Sequence, residues 1–406
     1  MNQDKQQSYW GFIIPLFITV FLAFMDHLIV VPLSAEISTS TGLPLVKSGL
    51  LVSIYPFAAA ISAFFFAPFS DRLGRKKLLL ILTFGFSLAT LGCALSNTVF
   101  TIFLFRILSG VFAGPVISNI LAFAGDTFSG NQRARALTSI MLSFSVASIL
   151  GVPIGAWLGE HYSWHAPFYF ISVLALVCLA MIFRLKEVKT GAESGRVVQQ
   201  FKEMLLLWKQ KPVQIVFLIQ FFMLAGLFGY VPNISVWLKV NYQMTPSMIG
   251  FCYMQGGVGA LIGNLIAGQL LKRGFQISLL NTGSIIMGIF LVITTSEIFP
   301  GPYIGVLIAG IMFGGTMRMP AFQLILTEIV PIHIRGRLMS MSMIVSNLSM
   351  AFGGVWSIPL LSLEADYLQG MWKIGLIAMI SLLFVPLLSF QLVRKTAQLK
   401  RAKAKN

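Results

Sequence analysis

Two charged residues stand inside apolar runs of this sequence, where charge is energetically unfavourable. Asp26 lies in FLAFMDHLIVVPL (residues 21–33), and Arg106 lies in FRILSGVFAGPVISN (residues 105–119). An unpaired charge at the centre of a bilayer costs about 2.5–3.5 kcal/mol on insertion scales. Burial favours the protonated carboxyl, whereas a nearby guanidinium favours the ionised form. Because these effects oppose each other, a carboxyl of this kind can bind and release a proton, and we interpret Asp26 and Arg106 as proton-coupling residues.

The composition indicates that a membrane positions these residues. The 406-residue chain is 57% hydrophobic and only 10% charged, whereas soluble domains carry about 25% charged residues. A helix needs about 20 apolar residues to cross a bilayer, and barrels instead show short alternating segments. The predicted fold class is therefore an all-α membrane protein with twelve transmembrane helices, at 10–34, 47–69, 78–96, 99–126, 136–159, 165–184, 213–239, 247–271, 277–296, 302–330, 337–362 and 368–392.

Depth along the spans predicts that the two charged residues lie at a similar level. Span 1 runs outward with Asp26 about two turns before its expected end near Ser34, and span 4 runs inward with Arg106 about two turns after Thr98. At 1.5 Å per residue both lie roughly 12 Å deep. A permanent structural ion pair is the alternative interpretation. His27 points about 100° away from Asp26 on a helix, so we interpret it as a polar neighbour.

The basic residues predict the orientation. Most of the 29 Lys and Arg residues fall on one side if both termini are cytoplasmic, as the positive-inside rule requires. The net charge of +16 is therefore a topological signal, and nucleic acid is not an expected partner. Cys93, Cys178 and Cys252 lie in predicted spans without metal-ligand spacing, so neither a disulfide nor a metal site is expected. The chain has no GxxxxGK[ST] loop, which argues against ATP as the direct energy source; we expect no cofactor and no enzymatic activity.

A polar connection divides the chain into two similar halves. We expect an N-terminal six-helix bundle at 1–184, a cytoplasmic linker with an amphipathic helix at 185–212, a C-terminal bundle at 213–393 and a basic cytoplasmic tail at 394–406. Asp126, Arg133 and Arg135 recur with the same spacing as Glu328, Arg335 and Arg337. Such duplication is typical of transporters that bind substrate between repeated halves.

The connection between spans 2 and 3 reads FSDRLGRKK and resembles the signature loop of the major facilitator superfamily. The matching residues are Asp71, Arg72, Gly74, Arg75 and Lys76. The resemblance implies the major facilitator fold of two pseudo-symmetric halves, in which spans 1 and 4 line a central cavity, so that Asp26 and Arg106 can meet. It also implies that the loop is a conformational lock, in which Asp71 lies at the N-terminus of span 11, where the helix dipole favours an anion. In that lock Arg75 pairs with Asp126.

Spans 1, 4 and 5 also resemble one branch of this superfamily, the drug:proton antiporters and sugar-efflux permeases. Asp26 and Pro32 match an acid-then-proline pattern in span 1, and Arg106 with Gly110 and Gly114 resembles the family motif of span 4. The antiporter-type motif of span 5 is represented by Gly151, Pro153, Gly155 and Gly159. Small residues also allow plain close packing of helices, which is the alternative reading of that motif.

Further polar and aromatic residues are candidates for lining a substrate cavity: His27, Tyr55, Asn119, Tyr230, Asn233, Gln255, Asn264, Arg318, Gln323 and Asn347. Helix–helix hydrogen bonding is the alternative for each. We expect a monomeric, proton-coupled antiporter in a bacterial cytoplasmic membrane that exports a small organic molecule by alternating access. A proton-coupled carrier of an anionic metabolite, such as a carboxylate siderophore or sugar acid, is one alternative. A membrane sensor or scaffold without transport is the other.

Overall fold

The computed structural model describes residues 9–187, 206–330, 334–364 and 366–405. Within these residues twelve helices are long and apolar enough to cross a membrane, so the predicted all-α class and number of spans are confirmed. The spans, numbered 1 to 12, are Tyr9–Thr41, Gly49–Leu73, Arg75–Ala94, Val99–Thr127, Gly130–His161, Ala166–Phe183, Lys211–Tyr242, Pro246–Leu271, Gln276–Thr295, Gly301–Glu328, Arg335–Trp356 and Met371–Lys405. Short antiparallel strands β1 (Ser362–Glu364) and β2 (Tyr367–Gln369) form a hairpin between spans 11 and 12.

Span 1 is longer than predicted, because its polar end continues the helix. The hydroxyls of Thr39 and Thr41 donate to the carbonyls of Ala35 and Ile37 and so satisfy main-chain acceptors in the last turns. The helix ends at Thr41 instead of near Ser34. Roughly four turns of helix therefore follow Asp26, instead of the two turns expected from an end near Ser34.

Prolines interrupt spans 5 and 7. A π-helical turn occupies Ala147–Gly151 in span 5, just before Pro153. Proline has no amide hydrogen and its ring crowds the carbonyl four residues earlier, so the helix widens locally. In span 7 a 3₁₀ turn occupies Val231–Asn233, around Pro232.

We call the side of the molecule with the start of span 1 the terminal face and the opposite side the distal face. At the distal face the first six spans contact the last six. Lys239 Nζ lies 2.7 Å from Glu36 Oε1, and Ser235 Oγ donates to the carbonyl of Pro32 at 3.0 Å. These contacts join spans 1 and 7.

Spans 5 and 8 show how the halves separate towards the terminal face. Gly250 of span 8 packs against Ala156, and one heptad further on Gly257 packs against Ile149. The next residue on the same face of span 8 is Asn264, which is exposed, and Leu142 of span 5 is also exposed. The halves therefore touch distally and diverge towards the terminal face.

The connections at the terminal face are described only in part. Residues 188–205 of the predicted linker and amphipathic helix lie outside the described residues. The predicted basic tail begins within a helix, because span 12 continues to Lys405.

Candidate functional site

Asp26 and Arg106 form an ion pair in the interior of the first half. Arg106 Nη1 donates to Asp26 Oδ2 at 2.7 Å, and both side chains are fully buried. The same nitrogen lies 3.2 Å from the carbonyl oxygen of Asp26. Thr90 Oγ1 in span 3 donates to Asp26 Oδ1 at 3.4 Å. Three spans thus supply one carboxylate, one guanidinium and one hydroxyl.

An aromatic stack connects this ion pair to the second half. The Arg106 guanidinium lies 4.6 Å from the centre of the Tyr55 ring, within the range of a cation–π interaction. On span 1 the His27 ring stacks on Tyr55 at 4.9 Å and faces Phe228 of span 7 at 6.4 Å. His27 Nδ1 has no hydrogen-bond partner among the described residues. His27 therefore lies between the pair and the opposite half.

Glycines of span 4 bring Tyr55 close to Arg106. A Cβ atom at Gly110 would lie 2.4 Å from the carbonyl oxygen of Tyr55, and one at Gly114 would lie 2.8 Å from the Cα of Ala59. Because these neighbours are backbone atoms, they could not move without shifting span 2. The small residues of the span 4 motif thus set the approach of span 2.

The glycines of the span 5 motif face span 1. They form a stripe with a spacing of four residues, and each packs against a larger side chain: Gly151 against Met25, Gly155 against Ile29 and Gly159 against Leu33. This row lies on the helix that carries Asp26. Pro153 contacts the other half, since Gly250 approaches its Cα. The motif therefore connects the span of the buried acid with the interface between the halves.

The predicted lock is described in part. Arg75 Nε donates to Asp126 Oδ2 at 3.0 Å, which joins the start of span 3 to the end of span 4. Gly74 has a φ of 83°, a conformation that favours glycine. The side chains of Asp71 and Arg72 lie outside the described part of the structure, so the expected contact with span 11 remains a prediction.

The other candidate cavity residues are not gathered at one site. Asn119 donates to the carbonyl of Arg75, and Asn233 donates to Gly229 and Ser357. Gln255 packs on Gly305 within the second half. Tyr230 is buried. Asn264 is exposed, and Gln323 and Asn347 are half-buried. Tyr55 and His27 are the candidates that lie at the ion pair.

Arg318 of span 10 is a separate buried cation. It is 1% exposed, and its Nη2 donates to the carbonyl of Met223 at 2.8 Å while Nη1 lies 3.3 Å from Ser284 Oγ. Both partners are neutral. In the described ranges no group of three His, Cys, Asp or Glu residues could hold a metal ion.

Sequence reasoning missed three contributors to these contacts. Thr90 was overlooked because a lone threonine in an apolar span has no distinguishing pattern. Glu36 was assigned to the region beyond span 1, so its ion pair with Lys239 of span 7 was missed. Glu160 accepts from the main-chain nitrogen of Ser247 at 2.8 Å, at the N-terminus of span 8, where a carboxylate is favoured by the helix dipole.

Comparison with known proteins places the chain in a family. The sequence profile of the Major Facilitator Superfamily matches residues 16–354. The chain belongs to this superfamily. The crystal structure of a D-xylose-proton symporter superimposes with a TM-score of 0.76 at 16% identity, covering 93% of this chain and 97% of that one. This likeness supports the major facilitator fold.

Curated relatives are bacterial members of the superfamily. The uncharacterised MFS-type transporter YceJ of Bacillus subtilis (strain 168) is 28% identical over 244 residues, which are 59% of this chain and 62% of that relative. The chain thus matches less than two thirds of that protein. A bicyclomycin resistance protein homolog of Haemophilus influenzae is 26% identical over 278 residues, or 67% and 69% of the two chains. This is a multi-pass membrane protein whose family and fold are those of transporters rather than enzymes.

Proposed function

We propose that this protein is a proton-coupled antiporter that exports a small organic molecule across the cytoplasmic membrane of a bacterium. The observation that carries the proposal is the fully buried pair of Asp26 and Arg106. Ionisable groups inside a membrane span are functional sites by default, because their insertion is unfavourable. The pair also lies inside the first half of the molecule, which would rock against the second half during transport.

Protonation of Asp26 is the coupling step. The carboxylate accepts from Arg106 and Thr90 while it is ionised, and a proton on it would remove its attraction to the guanidinium. A proton that crosses the membrane inward releases about 2.3 kcal/mol per 100 mV of membrane potential. The stack of Tyr55, His27 and Phe228 offers a physical path by which this local change reaches the second half.

Alternating access follows from the contacts between the halves. If the basic loops are cytoplasmic, the terminal face is cytoplasmic and the separation near Asn264 and Leu142 opens the carrier to the cytoplasm. The distal contacts, including Glu36 with Lys239, would then have to separate in the outward-facing state. We infer a rocking motion of residues 1–184 against residues 213–393.

Export is supported by two features. The glycine stripe of span 5 packs on span 1, which carries Asp26, as expected for an antiporter-type motif. The Haemophilus relative bears the name of a drug-resistance protein, which suggests efflux of a small organic compound.

Inverted membrane vesicles test this function. With an acidic interior, we expect vesicles carrying the protein to accumulate a compound from a drug and metabolite panel that includes bicyclomycin, with release of protons from the vesicles. The accumulation should disappear when the pH gradient is collapsed. Uptake that ignores the gradient would contradict proton coupling. Neither solute uptake nor solute-dependent proton movement across the panel would favour a sensor or scaffold instead.

A further inference from the structure

Arg318 is a buried cation with neutral partners. The guanidinium is held between spans 7, 9 and 10 by the Met223 carbonyl and the Ser284 hydroxyl. Its Nε has no hydrogen-bond partner in the part of the chain that the structure describes. The side chain therefore retains both a charge and a donor that these contacts do not satisfy.

The sequence of the second half contains no carboxylate at this depth. Its acidic residues between 213 and 393 are Glu297, Glu328, Glu364 and Asp366. Glu297, Glu364 and Asp366 belong to the distal connections. Glu328 ends span 10, about 15 Å along the helix from Arg318. The charge of Arg318 thus has no built-in counter-ion in its own half.

The first half shows a similar arrangement in which the counter-ion is present. There Arg106 of span 4 reaches a main-chain carbonyl of span 1 and the carboxylate of the same residue, Asp26. Spans 7 and 10 are the counterparts of spans 1 and 4 in the duplicated plan. Arg318 likewise reaches a main-chain carbonyl of span 7, but the residue there is Met223. The carbonyl that Arg318 reaches thus belongs to an apolar residue, whereas the residue that Arg106 reaches also supplies the anion.

This arrangement favours an anion that arrives from outside the protein. A buried charge without a partner destabilises the fold, and replacement by an apolar residue of similar size is often neutral or stabilising. The contact of Nη1 with Ser284, at 3.3 Å, is longer than the common hydrogen-bond distance. Hydrogen bonds to an ionised acceptor are about twice as strong as neutral ones. A carboxylate oxygen at the unsatisfied Nε is therefore favourable.

We propose that Arg318 binds the carboxylate of an organic anion that this protein carries. The proposal rests on the transport function above and specifies its substrate class. Arg318 lies ten residues before the end of span 10, nearer the terminal face, towards which the halves diverge. The bound carboxylate accepts from Nε, the donor that the Met223 carbonyl and the Ser284 hydroxyl leave unsatisfied. The proton pair in the first half and the anion site in the second half then use separate arginines.

The stability of the ligand-free protein gives the first test. We expect purified full-length Arg318→Met protein, in detergent without organic anions, to melt at the same or a higher temperature than the unchanged protein. The matched control is Arg106→Met, which leaves Asp26 buried without its partner and should lower the melting temperature. If Arg318→Met lowers it as well, Arg318 is a structural cross-link and the anion proposal fails.

Carboxylate-dependent stabilisation gives the second test. The probes are benzoate, succinate and gluconate, compared with benzamide, succinamide and glucose at constant ionic strength. At least one carboxylate, but not its neutral counterpart, should raise the melting temperature. Arg318→Met should abolish this rise and Arg318→Lys should reduce it. No rise with any of the three carboxylates, or a full rise in Arg318→Met, overturns the proposal.

The two proposals fail in different experiments. If the unchanged protein shows no gradient-driven uptake in inverted vesicles, proton-coupled transport is contradicted. The melting shifts depend on binding alone, so they report on Arg318 whether or not a proton gradient drives the carrier.

Discussion

At the scale of single residues, the effect of the buried Asp26–Arg106 pair on stability can be measured separately from its role in transport. Both side chains are inaccessible, so removal of one partner leaves a buried charge, which costs about 3–5 kcal/mol. Removal of both partners leaves no such charge. This difference allows a loss of proton coupling to be distinguished from a loss of folding.

Asp26→Asn should abolish gradient-driven accumulation in inverted vesicles, because an amide cannot carry the proton. The same change should lower the melting temperature, since Arg106 is left unpaired. The double variant Asp26→Leu with Arg106→Met should recover most of the stability but still accumulate nothing. Normal accumulation in either variant would contradict the role of Asp26 in proton coupling.

The ring of Tyr55 should stabilise Arg106 through its face rather than through its hydroxyl. The guanidinium is 4.6 Å from the ring centre, and such contacts contribute about 2 kcal/mol when desolvated. Tyr55→Leu should therefore lower the melting temperature, whereas Tyr55→Phe, which keeps the ring, should change it little. Equal losses in the two variants would assign the effect to the hydroxyl, which donates to the Ala23 carbonyl at 3.4 Å.

At the scale of helices, small residues set how closely the spans approach. Span 4 approaches the backbone of span 2 at Gly110 and Gly114, and span 5 approaches span 1 along its glycine stripe. Without a hydrophobic force between helices in lipid, close packing of this kind is a main source of association. The positions of Asp26 and of the Tyr55 ring thus depend on glycines in the helices that pack against them.

Gly110→Ala should disturb the ion pair although it adds only one methyl group. The new Cβ would meet the carbonyl oxygen of Tyr55 at 2.4 Å, so span 2 must shift and carry the aromatic ring away from Arg106. Overpacking typically costs about 1–3 kcal/mol, seen as a lower melting temperature and slower uptake. Gly268→Ala is the matched control, because a Cβ there would meet nothing within 4 Å. The idea fails if the two alanines behave alike.

The sequence predicted the presence of the helices better than it predicted where they end or which side chains they bring into contact. The twelve spans were recognisable because long apolar runs admit few other structures in a membrane. Their ends were less certain, as span 1 shows, because STST at residues 38–41 continues the helix through side-chain hydrogen bonds. The approach of Arg106 to Asp26 was expected from depth and resemblance. Thr90 and the stacking of His27 depend on helix rotation, which the sequence pattern does not specify.

At the scale of the whole molecule, the two halves are joined at the distal face by a small number of polar contacts. Glu36 pairs with Lys239, and Glu160 caps the start of span 8 at Ser247. These contacts stabilise the arrangement that diverges towards the terminal face. Any motion that opens the distal face must break them, so in the proposed rocking motion they contribute to the balance between the terminally open and the distally open states.

Glu36→Gln should shift this balance towards the distally open state. Partly exposed ion pairs contribute about 0.2–1 kcal/mol, which corresponds to a change in population of about 1.4- to 5-fold. The measurement is the rate at which a membrane-impermeant maleimide, applied to inverted vesicles, labels Asn264→Cys. Asn264 is exposed where the halves diverge, and this opening narrows when the distal face opens. We therefore expect Glu36→Gln to slow the labelling. Cys93, Cys178 and Cys252 are buried, so background labelling should be low.

Two controls separate the contact between the halves from a general effect of charge. Glu364→Gln removes a distal carboxylate that bonds to Gln369 within the hairpin, and it should leave the labelling of Asn264→Cys unchanged. The exchange of Glu36→Lys with Lys239→Glu restores an ion pair and should restore labelling. Slower labelling in Glu36→Gln alone would mean that Glu36 and Lys239 hold the distal face closed, because attraction between them then opposes the rocking motion. Equal labelling in all variants would show that apolar packing, including Gly250 on Ala156, closes this face without the charges.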